Sequence, residues 1–256
     1  MSPHATWFDF LPGYPALKEY LHPSMVRTWN WQVFQTTNFD LVHVMGALLV
    51  FLFVAFGAYR YAVAVSGSGD AGLVPPPKFG LRNLFEVLAD TVLGLMAGVM
   101  GEKAAKRYLP LVGTLFIFIL FSNLLGLIPG FLPPTETLKT NLALSLSVFV
   151  LSHAFGVREH GLKYFKHFLG PIWWLIPLML PIELISHIAR PVSLSMRLMG
   201  NIVGDHKLVG VFFGILPFLL PVPFMVMGVL VCVVQAVVFS LLTTVYISQA
   251  VAHEEH

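Results

Sequence analysis

The chain has 256 residues, of which 57% are hydrophobic and only 11% charged, and its net charge is +2. Soluble domains carry about 25% charged residues, so an ordinary water-soluble fold is excluded, and the charge is too small for a nucleic-acid-binding surface. The single cysteine, Cys232, lies in the apolar run 229–234, which leaves no disulfide framework and no cysteine-based metal site.

Residues 1–40 contain Asp9, Lys18, Glu19, Arg27 and Asp40 among aromatics and prolines. They lack the apolar core of a cleavable signal peptide and read as an irregular or partly helical tail. A first crossing is predicted at about 41–65, uniformly apolar, with His43 near its start. The loop "SGSGDAGLVPPPK" follows, and then "NLFEVLADTVLGLMAGVMGEKAAKR". In that stretch Asn83, Glu86 and Asp90 recur at i, i+3 and i+7, which gives one polar face on an apolar helix. Such a helix suits the membrane interface.

The second crossing is predicted at about 109–128, with Asn123 as its polar group, and "PGFLPPTETLKT" makes a short turn. Asn123 suits a helix–helix hydrogen bond. The third crossing covers about 141–157, and "REHGLKYFKH" reads as a polar loop. His153, His160 and His167 recur every seven residues there, near Gly161 and Gly170, and read as loop residues rather than metal ligands. His253 and His256 belong to the tail. Two long apolar stretches, about 172–216 and 218–250, are separated by Pro217, Pro221 and Pro223. Both exceed the roughly 20 residues that span a bilayer upright, so they should tilt, or curve at Pro177, Pro181 and Pro191.

The expected fold is an all-α integral membrane protein. It has about five transmembrane helices and one interfacial amphipathic helix, and its last two helices are long and tilted. Residues 1–40 form the tail and 41–256 a single membrane domain. Orientation follows from basic residues in short loops. Arg60 stands at the end of the first crossing, Lys78, Arg82, Lys103, Lys106 and Arg107 follow it, and Arg158, Lys163 and Lys166 follow the third. The Pro-rich turn holds only Lys139. The basic segments are therefore expected inside and the Pro-rich turn outside. Five crossings then put the N-terminus outside and "AHEEH" in the cytoplasm.

At about 100° per residue, Glu183, Arg190, Arg197 and Asn201 share a narrow arc of one helix, with His187 and Asp205 at its edge. A charge at mid-membrane costs roughly 2.5–3.5 kcal/mol on the mildest scale, and such residues mark cavities and ion pathways. Arg190 can pair with Glu183 at i+7 or snorkel to a headgroup. Arg197 has Leu194, Leu198 and Asn201 as helical neighbours and no carboxylate at i±3 or i±4. With its counter-charge not on its own helix, a partner chain or a mobile ion is expected to supply it.

The segments "PVSLSMRLMGN" and "VVQAVVFSLLTTVYIS" resemble subunit a of the F-type rotary ATP synthases, as do "FSNLLGLIPGF" and "TNLALSLSVFV". The resemblance runs from about Phe79 to the end. It implies a proton-conducting stator with two offset half-channels built mainly by about 172–250. It gives Arg197 the role of the arginine that faces the proton-carrying carboxylate of the rotating c-subunit ring. Asn201 and Gln235 match polar residues near that arginine and along the half-channels. Glu183 and Ser186 match positions of the cytoplasmic half-channel, and Arg190 stands where a basic residue is common.

The familiar relay position, nine residues after the arginine, is His206, where many bacterial members have glutamate. A histidine there normally pairs with an acid seven residues before the glutamine, but this chain has Gly228. Asp205 is the nearest candidate for the missing acid, so Asp205 and His206 are both candidate relays. Tyr246 shares a face with Gln235 and suits either the ring or the headgroup belt. The implied partners are the c-ring, the b-subunit peripheral stalk, the rest of the F-type ATP synthase and membrane lipid. No nucleic acid, cofactor or metal is implied. The implied location is the bacterial cytoplasmic membrane.

Two other classes make different demands. A stand-alone transporter with an Arg-lined substrate site would bring a repeat between two halves, and none is visible. An intramembrane metalloenzyme would bring two or more His or acidic ligands at i, i+4 on one span, and none is expected.

Overall fold

A computed structural model describes residues 6–12, 14, 16–17, 19–20, 41–66, 80–128, 130–161, 164, 176–215 and 221–251. Among these lie six α-helices: α1 Leu41–Ser66, α2 Leu81–Met100, α3 Glu102–Leu125, α4 Leu138–His160, α5 Ile176–Ile215 and α6 Pro221–Val251. Two 3-10 turns, Trp7–Phe10 and Pro134–Glu136, complete the described elements, and no strand occurs among them. Most of the tail, the loop 67–79, His167, Pro217 and the C-terminal "AHEEH" lie outside the described residues.

Among the described residues, five helices are long and apolar enough to cross a membrane: Val42–Val63, Leu81–Met100, Glu102–Leu125, Leu138–His160 and Val222–Val251. The number matches the expected five, but the membership differs. α5 is outside this set because its polar stripe dilutes its apolar residues. α2, the amphipathic helix expected at the interface, is inside it. Its polar face is present, with Arg82 Nε donating to Glu86 Oε1 at 2.9 Å.

α2 nevertheless folds back along α3. Gly101 alone joins them, at φ 79°, a conformation that glycine reaches without a Cβ clash. Its N–H closes α2 on the Ala97 carbonyl, and its own carbonyl opens α3 by accepting from Ala105 N–H. Phe85 of α2 then meets Phe121 of α3 with ring centroids 6.4 Å apart. These rings stand sixteen and twenty residues from the hinge, so only an antiparallel hairpin brings them together. Phe53 of α1 joins the same cluster, 5.0 Å from Phe121.

The remaining helices close around α3. Val92, Met96, Val112, Phe116, Ile119, Val148, Leu194, Leu198, Phe239 and Ile247 form one buried core drawn from α2 to α6. Lipid tails are as apolar as these side chains, so close packing and interhelical hydrogen bonds hold such a bundle. α1 turns Leu48, Phe51, Leu52, Phe56 and Val63 outward, as suits a helix solvated by hydrocarbon.

α5 has 40 residues and α6 has 31. At 1.5 Å per residue α5 is roughly 60 Å long, about twice the hydrocarbon thickness. It contains Pro181 and Pro191. Part of the tail is fastened to the Pro-rich turn: Trp7 N–H donates to the Gly130 carbonyl at 3.2 Å. Phe8 packs edge-on to Phe131 at 5.6 Å. At the opposite end, Arg107 of α3 donates to Glu159 of α4 at 3.0 Å. The tail therefore shares an end with the Pro-rich turn, and the start of α3 shares the other with the end of α4.

Candidate functional site

α5 and α6 pack as an antiparallel pair with one register. Arg190 lies over the Tyr246 ring at 5.4 Å. Asn201 Nδ2 donates to Gln235 Oε1 at 2.6 Å. Phe212 stacks on Phe224 at 4.1 Å and 8°. Successive partners are eleven residues apart on both helices, three helical turns, so all three pairs lie on one seam. Arg190 and Asn201 of the stripe seen in the sequence lie on this seam, and Arg190 meets an aromatic face rather than Glu183.

Arg197 stands one turn before Asn201. Leu194 and Leu198 beside it are buried in the core, while Arg197, Met196 and Val192 are exposed. Among the described residues Arg197 has no ion pair and no hydrogen bond. A guanidinium presents five donors in a fixed fork and holds its charge. This one is offered to whatever covers the open side of α5.

Nine residues on, His206 turns toward the Pro-rich turn. Its Nδ1 is 3.6 Å from Glu136 Oε2. This is the carboxylate within ion-pair distance of His206. Asp205 is partly buried, and its Oδ2 has no hydrogen bond among the described residues. Gly228 is buried, and a Cβ there would come within 3.0 Å of Leu127 Cδ2. Glu136 escapes a sequence reading because it lies in a turn 70 residues from His206. The only available sign was an acid between two threonines in a Pro-rich turn.

Ten residues before Arg197, His187 is buried. Its Nδ1 is 2.9 Å from the Glu183 carbonyl and 3.3 Å from Glu183 Oε1. His153 of α4 approaches His187 edge to face at 5.3 Å, and Tyr164 approaches His153 at 5.9 Å. His153 therefore lies on a helix and against a neighbour, not on a solvated loop. His160 also belongs to α4. Glu183 and His187 do form an i, i+4 pair, contrary to the expectation of none. No three metal-ligating side chains cluster among the described residues. Ser186 is exposed and takes no part in these contacts.

Asn123, expected to bond another helix, bonds the Pro-rich turn instead. It is buried, and its Oδ1 accepts from Thr135 Oγ1 at 2.7 Å, which ties α3 to the Pro-rich turn.

The ATP synthase A chain family matches residues 38–248. The chain belongs to this family. Among its relatives is ATP synthase subunit a 1 of Syntrophotalea carbinolica, 47% identical over 90% of this chain and 97% of the relative. Subunit a of Bdellovibrio bacteriovorus is 42% identical over 89% and 99%. Subunit a of Geobacter sulfurreducens is 49% identical over 69% and 76%. As a member of the ATP synthase A chain family with five helices able to cross a membrane, the chain is a multi-pass membrane protein. The matched region contains all six helices up to residue 248 and every side chain of the candidate site.

Proposed function

We propose that the chain is the proton-conducting stator subunit of the membrane sector of an F-type ATP synthase. It works against the c-subunit ring, is held by the b-subunit stalk and sits in a bacterial cytoplasmic membrane. It makes no covalent bond itself. The observation that carries this reading is Arg197: exposed, without an anion among the described residues, and roughly midway along α5 between two histidine–glutamate pairs.

The physics follows from that placement. A ring carboxylate in lipid stays neutral because burial disfavours its charged form. Beside an arginine its pKa falls by roughly 1–3 units, about 1.4 kcal/mol for each unit. It releases a proton as it reaches Arg197 and regains one on leaving. Protonated sites can rotate through lipid, whereas bare carboxylates cannot. The fixed positive charge also repels protons and blocks a direct leak between the half-channels. Each crossing gains roughly 2.3 kcal/mol per 100 mV.

Asn201 and Gln235 line the seam beside the arginine. Glu183 and Ser186 belong to the cytoplasmic half-channel, and His206 and Asp205 to the outer one. The N-terminus lies outside and the C-terminus in the cytoplasm. The tail fastened to the Pro-rich turn supports this orientation, as does Arg107 bridged to Glu159 at the other end.

Two experiments test the reading. The chain, purified with its complex and reconstituted, should co-purify with an oligomeric ring, and the vesicles should acidify on adding ATP. A chain that purifies alone and transports without a ring overturns it. For orientation, a cysteine placed after Ser2 should react with an impermeant reagent from the outer face, and one near Glu255 from the cytoplasm. Reactivity of both from one face would mean an even number of crossings, with α2 as the sixth.

A further inference from the structure

We propose that Glu136 is a proton-carrying group, exchanging protons with His206 and making the α3–α4 turn part of the conducting path. This rests on the proton-stator reading and adds to it a residue from a different element.

The turn is built to hold Glu136 still. Thr135 Oγ1 donates to Asn123 Oδ1, and Asn141 Nδ2 donates to the Thr135 carbonyl, both at 2.7 Å. Thr135, Asn123 and Asn141 are all buried. Glu136 N–H donates to the Pro133 carbonyl at 3.1 Å, and Thr137 Oγ1 donates to the Pro134 carbonyl at 3.2 Å. A turn that only connected two helices at a membrane surface would leave such groups to water. Here buried side chains from α3 and α4 fix the residues on either side of Glu136.

The carboxylate so presented is aimed inward. Glu136 Oε2 is buried, has no hydrogen bond within the described residues, and lies 3.6 Å from His206 Nδ1. That gap is just beyond hydrogen-bond length. A small side-chain rotation, or one water, closes it, and catalytic proton transfers are made at that reach.

The space around His206 is cut for this contact. A Cβ on Gly126 would fall 2.9 Å from His206 Nε2 and 2.7 Å from Pro133 Cγ. Only a glycine at the end of α3 lets the imidazole reach the turn. On α6, a Cβ at Gly228 would come within 3.0 Å of Leu127 Cδ2. The carboxylate within ion-pair distance of His206 comes from the turn.

The step is a simple exchange. Glu136 Oε2–H breaks as a proton bonds to His206 Nδ1, leaving a carboxylate and an imidazolium. The imidazolium then loses its Nε2 proton to the next acceptor on the path. Only O–H and N–H bonds change. Among the described residues, the other titratable or charged groups near this end include His43 of α1, whose Nδ1 is 3.4 Å from the Pro133 carbonyl, Lys139 of α4 and Cys232 of α6, which interacts with Asp205. Asp205 and Lys207 flank His206 on α5.

The test uses the whole complex in vesicles, with ATP-driven and potential-driven proton flux measured across pH. Glu136→Gln and His206→Ala should each lower both fluxes by at least about tenfold. The double variant should be no worse than the poorer single, because the two act as one unit. Asp205→Asn should lower the flux less than either of these single variants. The pH profile should flatten in Glu136→Gln, a change that a merely structural turn residue would not produce. If Glu136→Gln prevents assembly, Glu136→Asp decides. Withdrawing the carboxyl by one methylene must then slow the flux and move the profile. Wild-type flux with an unmoved profile, in the Gln variant or failing that in the Asp variant, overturns the proposal. Arg197→Ala, run alongside, separates the two ideas. If it is inert while Glu136→Gln is normal, only this proposal fails; if Arg197→Ala pumps normally, the stator reading fails.

Discussion

α5 carries a histidine beside a glutamate at each end, and the two pairs are built differently. His187 and Glu183 are four residues apart on one helix, so helix geometry alone makes them neighbours. His206 and Glu136 come from different elements and meet only because Asn123, Thr135, Asn141 and Gly126 bring them together. The first pair survives any rearrangement that leaves α5 helical. The second depends on the α3–α4 turn keeping its position. At 1.5 Å per residue, Arg197 is roughly 15 Å from His187 and 14 Å from His206 along the axis. One pair is intrinsic to the helix and the other is assembled around it, with the fixed charge between them.

The largest expected effect comes from removing that charge. Arg197→Ala should let the complex assemble with normal stoichiometry and abolish ATP-driven pumping and ATP synthesis. Arg197→Lys should fail nearly as badly, because an ammonium lacks the planar fork and loses its charge more readily when buried. Passive leak through the membrane sector should rise in the Ala variant, since the two ends are no longer separated. Coupled pumping retained in the Ala variant would sink the gate, and failure to assemble would assign the arginine to the fold instead.

The next prediction sets the two ends against each other. His206→Ala should cut proton flux by about 10²-fold, the lower range for a positioned proton-transfer group. His187→Ala should cut it only a few-fold, because Glu183 remains on the same helix face and is partly exposed. Flux in reconstituted vesicles at several pH values measures both. Equal losses would mean that the two ends are equivalent relays and that the contrast drawn here is only architectural.

A third change touches neither charge nor proton carrier. Gly126→Ala puts a methyl where His206 Nε2 and Pro133 stand, at 2.9 and 2.7 Å. Overpacking of this kind costs about 1–3 kcal/mol. Flux should fall several-fold through the displaced imidazole, while His187→Ala should cause the same proportional loss in the Gly126→Ala background as in wild type. Flux unchanged by Gly126→Ala would show that His206 needs no fixed place.

This contrast also marks what the sequence could disclose. The first crossing, expected at 41–65, is Leu41–Ser66. The stripe from Glu183 to Asn201 follows from a periodicity of 100° per residue, and the arginine's isolation follows from reading its own neighbours. Glu183 and His187 were legible in the same way, at i, i+4. Periodicity has no reach beyond one helix, so it could not bring Glu136 to His206, His153 to His187, or Tyr246 to Arg190. Nor could it lay α2 along α3, which depends on the Gly101 hinge and the meeting of Phe85 with Phe121. The polar face of α2 was legible; the neighbours of its apolar face were not.

The smallest expected effect tests the seam that keeps both ends in register. Arg190 has no ion pair among the described residues and instead lies 5.4 Å from the centre of the Tyr246 ring. A cation over an aromatic face is worth about 0.5–1 kcal/mol when exposed and about 2 when desolvated. Arg190 is partly buried, so the contribution falls between these. The attraction uses the ring face and not the hydroxyl. Tyr246→Phe should therefore change the thermal stability of the solubilised complex by less than about 0.5 kcal/mol, whereas Tyr246→Leu should lose about 0.5–2 kcal/mol. Arg190→Met should remove the difference between the two. A Phe variant as damaging as the Leu variant would mean that the hydroxyl does the binding and that Tyr246 answers to a headgroup or a partner chain rather than to Arg190.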